Sequence, residues 1–469
     1  MPIIPPLSAP TRRSVATGLA ASVFTLRGPA ATRAAEPETT PDGFRLLRAA
    51  PARLRLRPEP APDVEAWAFD AAVPGPTLRV RQGDEVRLRF RNDTPRPLTL
   101  HCHGVRNVSA MDGVGGLSQE PVPPGGHFDY RFTPPDAGTF LVRPLTPGAS
   151  GEASERGLLA VLVVEEREPP PVDGEHVLVV DDHRFGEDGA FAPFGAPLEA
   201  ATAGRLGNWL GVNGRPAPFA IEAAPGARLR LRLLNACNAR SLRIRFDNLK
   251  AYVGAVDGHP TDTFEPLRAT LPFAPGSRYD LFLDMPATGE GAITGLIGPG
   301  VPLVTLTPTG AAGASRAPIA PLAPNGRLPP MIRLENAVRR DVAIAGGARR
   351  GPEGNPVYTG DPARIWTVNG QSGRAGMPPL AAVPRGSPVV LAIKNDTPTP
   401  QPLHLHGHAF RLLHPFDDGW EPYWLDTLSV PENRTVRIAF VADNPGRWAL
   451  SSAVLERFDT GLWTWFEVT

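Results

Sequence analysis

Short apolar runs broken by turn residues dominate this chain. Val86, Leu88 and Phe90 alternate with Arg87, Arg89 and Arg91, the period of two that a strand with one buried face requires. Asn92, Asp93, Thr94 and Pro95 follow. Asn and Asp bond to nearby backbone and Pro cannot donate to a ladder, so this quartet predicts a turn. The frame recurs: Gly83 to Asn92, Gly226 to Asn235 and Gly386 to Asn395 each span nine residues, and the quartet returns at Asn395 to Pro398. A second block, Phe132 to Gly138, is matched by Phe440 to Gly446 at the same spacing of six. Alternation, dense turns and little helical periodicity predict an all-β chain in which one β-sandwich unit occurs three times.

Composition supports this and adds boundaries. The 48 Gly and 57 Pro are spread between the apolar runs, as many short strands and turns require. Two stretches rich in linker residues, 166–175 and 308–330, divide the sequence into expected domains at 42–166, 175–308 and 330–469. Residues 1–35 read as an export signal of the twin-arginine type. Arg12 and Arg13 precede a mildly apolar stretch over 15–26, and small residues follow at Ala30, Ala31, Ala34 and Ala35. The expected location is periplasmic or otherwise extracytoplasmic. No later run approaches the roughly 20 apolar residues of a membrane span. Lys+Arg and Asp+Glu both total 48, which excludes a long-range electrostatic attraction to nucleic acid or an anionic membrane. Two cysteines exclude a disulfide framework, while a single Cys102–Cys237 bridge stays open.

The candidate chemistry lies in the histidines. Five of ten fall in two strings, His101/His103 and His404/His406/His408. On a strand each string shares one face, with same-face neighbours about 6.6 Å apart. Imidazoles so spaced can converge on one metal, and neutral imidazole suits copper, zinc, iron or nickel. The strings stand nine residues after Asn92 and Asn395, the same repeat position, so two equivalent units can pool their pairs. The middle unit has Ile244 and Phe246 at those places. His127, His176, His183, His259 and His414 show no ligand spacing and are expected at the surface or in hydrogen bonds.

These residues resemble the multicopper oxidases, a family of three plastocyanin-like domains with four ligand motifs. His101-Cys102-His103-Gly104, followed by Met111-Asp112-Gly113, resembles the first motif. Pro402-Leu403-His404-Leu405-His406-Gly407-His408 resembles the third, and Asn444 to Trp448 resembles the lead-in to the fourth. The resemblance implies three cupredoxin-like Greek-key sandwiches. It makes His101 and His404 ligands of the type 2 copper, and His103 and His406 ligands of the paired coppers. Asp112 corresponds to an acid that orients a metal-bound water, a role that competes with capping a turn. His408 and Cys102 match non-ligating positions.

The departures narrow the expectation. Arg143 and Leu145 stand where the second motif has histidines. Ser451-Ser452-Ala453 replaces the fourth motif's His-Cys-His triplet, and Arg457 its later histidine. Gln401 replaces the histidine that opens the third motif, Leu462 takes the axial place, and Phe458 stands where many members have a proton-delivering acid. A blue copper site needs two histidines and a thiolate, and these positions supply none. The expectation is therefore an exported copper-binding protein with one ion on His101, His103, His404 and His406. At most an altered oxidoreductase activity toward dioxygen or a small molecule is expected. The competing expectation is a non-catalytic envelope scaffold, of the kind the family's cell-division members represent, with a protein partner.

Overall fold

The computed structural model describes residues 38–313, 317–416 and 419–469. The export segment expected over 1–35 lies outside them.

Strands dominate, and they pair in the same way three times. In each stretch a parallel pair is extended by an antiparallel neighbour. Arg45–Leu54 lies parallel to Val86–Asn92, which pairs antiparallel with His127–Phe132. Gly174–His183, Arg228–Asn235 and Arg278–Asp284 repeat this arrangement, as do Val338–Gly346, Ser387–Asn395 and Thr435–Ala442. A second sheet covers each. In the first stretch its order is Thr77–Arg81, Ala160–Glu165, Gly138–Arg143, His101–His103. Leu88 and Phe90 from one sheet and Phe140, Val142 and Leu162 from the other share one apolar core, so the two sheets form a sandwich. The all-β class and its cupredoxin-like sandwiches are as the sequence predicts.

The Asn frame explains the repetition. Asn92 is fully buried. Its amide donates to the carbonyls of Arg96 and Val122, and its oxygen accepts from the backbone and hydroxyl of Thr94. Asn395 makes the same set with Thr399, Val430 and Thr397. Asn235 donates to Arg240 and Phe273 and accepts from the Cys237 amide. One side chain thus satisfies the turn's buried backbone in all three copies.

Two details depart from the sequence reading. The strand Gln401–Leu405 ends before His406. Gly407 turns the chain at a φ of +67°, where a Cβ would strike the Trp448 ring. His404 and His408 therefore do not share a face: His408 packs among Phe440, Trp448 and Phe466. The stretch 166–175 is also anchored at both ends. Glu166 and Glu175 receive the buried guanidiniums of Arg230 and Arg232, which also bond Asp280. Strand Arg228–Asn235 is buried on both faces for this reason. Both cysteines are buried and unbonded to each other. Among the described residues no helix is long and apolar enough to cross a membrane.

Candidate metal centre

Two short strands carry His101, His103 and His404, and His406 follows the second strand directly. His101–His103 pairs with Gly138–Arg143, setting His101 opposite Arg143. Gln401–Leu405 lies between Thr427–Val430 and Gly446–Ser452, setting His404 opposite both Thr427 and Ser451. The strand ends meet, and four imidazoles drawn from the two ends of the described chain gather in one buried cluster. Ring centroids are 3.8 Å apart for His103 and His404, 4.4 Å for His101 and His406, and 5.5 Å for His101 and His404. Donor atoms of His101, His103 and His404 lie within 4.8 Å of one another, and so do those of His101, Asp112 and His406. Cys102 points away into the first core, where burial pushes its thiol up to about 12 and leaves it inert.

The hydrogen bonds sort the four rings. His101 Nδ1 bonds the Asp112 carbonyl at 2.6 Å, and His404 Nδ1 bonds the Asp426 carbonyl at 3.0 Å. A carbonyl only accepts, so each Nδ1 carries the proton and each Nε2 presents a lone pair. Both Nε2 atoms are buried without a hydrogen-bond partner among the described residues. His406 and His103 differ. His406 donates from Nδ1 to Asp112 Oδ2 at 2.9 Å, which leaves its Nε2 to accept the Ser451 hydroxyl at 2.9 Å. The Thr427 hydroxyl donates to Asp426 Oδ1 at 2.7 Å and so accepts from His103 Nε2 at 2.9 Å. His103 Nδ1 then faces Arg143 Nη2 at 3.5 Å.

Two carboxylates hold this pattern. Burial works to raise Asp112, but the neighbouring His406 and His101 outweigh it and keep it an anion. Burial likewise opposes ionisation of Asp426, and Arg278 and His404 reverse that. Burial pushes His406 down to about 3 and lowers His103 and His404, so these rings are neutral at pH 7, the form that binds metal. Arg278 comes from the middle sandwich. Both its terminal nitrogens bond Asp426, while Nε and Nη2 bond the carbonyls of Thr139 and Asp257.

All four predicted histidines and Asp112 are thus brought together. Asp426, Thr427 and Arg278 are supporting residues that the sequence did not single out, and Ser451, noted there only as a replacement in the fourth motif, bonds His406. Asp426 and Arg278 stand 148 positions apart with no repeat spacing between them.

Gln401 and Arg457 also meet. Arg457 donates to Gln401 Oε1 at 2.6 Å and to the carbonyls of Pro400 and Thr202, and its guanidinium lies over the Trp366 ring. Gln401 in turn donates to Thr397. This is a closed polar network with no thiol or imidazole in it.

Comparison with known proteins agrees with this architecture. The multicopper oxidase family description matches residues 53–169 and again 352–469. A multicopper oxidase of Mycobacterium tuberculosis is 27% identical over 454 residues, covering 90% of this chain and 86% of the relative. The crystal structure of a multicopper oxidase from Pseudomonas thermotolerans superposes with a TM-score of 0.80 at 33% identity, covering 90% of this chain and 98% of that one. The cell division protein FtsP of Proteus mirabilis is 31% identical over 237 residues, 49% of each chain. With both sequence and fold in agreement over nearly the whole described length, this chain belongs to the multicopper oxidase family.

Proposed function

We propose that this protein is an exported member of the family that binds a single copper ion through His101 and His404, with His103 and His406 beside them. The family implies copper, and the donor set fits it: two imidazoles, each with its Nδ1 hydrogen-bonded to a carbonyl and an unpaired Nε2 in a buried site. Those two unpartnered nitrogens are the observation that carries the reading. The outer rings are already engaged by Ser451 and by Thr427 and Arg143, which supports one ion rather than three. Copper held there would supply one-electron redox and Lewis-acid chemistry toward dioxygen or a small substrate. The chain's own part is orientation. Asp112 and Asp426 fix the imidazole protons, and the buried setting excludes bulk water. The Gln401–Arg457 network offers no electron entry, so ordinary laccase turnover is not expected.

Metal analysis and electron paramagnetic resonance on the exported protein test this. One copper per chain is expected, falling at least tenfold in occupancy in His404→Ala or His101→Ala. Copper-free wild-type protein after copper supplementation, or occupancy unchanged in His404→Ala, would overturn it. The likeness to a cell division protein, together with the closed network at Gln401 and Arg457, favours a second reading as an envelope scaffold. A partner recovered equally by wild type and by the His101/His404 double variant would support that alternative.

A further inference from the structure

Seven arginines are buried in the described structure; five pair with a carboxylate and a sixth is held by neutral oxygens. Arg205 pairs with Glu155, Arg228 with Asp284, Arg230 and Arg232 with Asp280, and Arg278 with Asp426. Arg457 lacks a carboxylate but donates to two carbonyls and the Gln401 amide. Arg143 is the exception. It is 2% exposed, and no carboxylate is paired with it among the described residues. Its Nε and Nη1 have no hydrogen-bond partner, and its single polar contact is the 3.5 Å approach of Nη2 to His103 Nδ1. A guanidinium stays charged in proteins. Asp181 and Glu456 act on Arg143 only from beyond ion-pair distance; a buried charge with no direct partner is costly, and an unsatisfied buried group points to a ligand. The register with His101 places Arg143 on the histidine face of its sheet. Water, a neutral partner, would meet the hydrogen bonds but not the charge.

We infer that Arg143 forms a binding site for a small carboxylate or carbonate-type anion, set beside the histidine cluster. The guanidinium edge matches two oxygens of a planar anion bidentately. Asp181 and Glu456 set negative charge around Arg143, and Arg278 adds positive charge from the middle sandwich. The site stands on Arg143 alone and does not depend on the copper reading.

Formate is the probe. Titration calorimetry and thermal unfolding are run on the full-length chain, once in chelator and once with one equivalent of copper, against chloride at equal ionic strength. Formate is expected to bind and to raise the melting temperature in both arms, and a crystal grown with formate should show it on Arg143. Arg143→Leu should lose the formate effect, and Arg143→Lys should weaken binding at least tenfold because it loses the fork. Arg143→Leu should also melt higher than wild type in formate-free chelator buffer, since it removes a buried charge that has no direct ion pair. That sign separates a ligand site from a structural arginine, whose loss would lower the melting temperature. The inference is overturned if formate binds only with copper present, if density at Arg143 shows water alone, or if Arg143→Leu melts lower and formate leaves wild type unchanged. If Arg143→Leu fails to fold, Arg143→Lys and the wild-type crystal decide the same question.

Discussion

Proton placement divides otherwise similar imidazoles in this protein. His101 and His404 keep a lone pair unopposed because a carbonyl has claimed the other nitrogen, whereas Ser451 meets the lone pair of His406. Ser451→Ala should therefore free His406 Nε2 and strengthen copper binding several-fold, measured by competition with a chromophoric chelator. Another histidine reports on pH. His259 is buried and accepts from Asn325 at Nδ1, and burial pushes it down to about 4. Its folded value lies below the unfolded one near 6.5, so the unfolded chain binds the extra proton between these limits. The stability it contributes is present above about pH 6.5 and is lost as pH falls toward 4, on the order of 3 kcal/mol in all. His259→Gln should flatten the urea-unfolding profile across that window. An unchanged slope would show that His259 titrates normally in the fold.

Among the elements, the three turn asparagines make the clearest comparison. Each satisfies several buried backbone groups, so Asn92→Ala and Asn395→Ala should each cost about 2–4 kcal/mol in chemical denaturation. Asn235→Ala should cost less, because its oxygen accepts from one backbone amide and lacks the hydroxyl that Thr94 and Thr397 provide. These turns also show why the fold was legible in the sequence. A buried asparagine that serves the same backbone three times cannot drift, so its spacing survives where the strands around it vary. The histidine pairs were legible for the same reason, being tied to that frame. His408 was not: the period of two holds only while the strand lasts, and Gly407 ends it. Asp426, Thr427 and Arg278 were invisible because their roles depend on contacts across sandwiches, and nothing local marks such a contact.

For the whole molecule, Arg278 joins the three sandwiches. It rises from the middle one, bonds Thr139 of the first, and meets Asp426 of the third. Arg278→Met would strand Asp426 as an unpaired buried charge beside Asp257, which burial and Asp426 already raise to about 7. The expected loss is about 3–5 kcal/mol, read from denaturant midpoints. Copper occupancy should fall with it, because the Asp426 carbonyl fixes the His404 proton. Arg278→Lys should recover part of both. Occupancy left intact in a destabilised Arg278→Met protein would separate the clamp from the metal pair.

His101 and His404 belong to the first and last sandwiches, which gives any ion shared between them a mechanical role. Such an ion is a clasp, closed by mass action. At a free concentration a hundredfold above its dissociation constant it would add about 2.7 kcal/mol to the folded state. Thermal midpoints should climb with the logarithm of added copper, and proteases should open the chain fastest when a chelator is present. The metal supply of the surrounding compartment would then govern how long the protein survives there, whether or not it turns over a substrate.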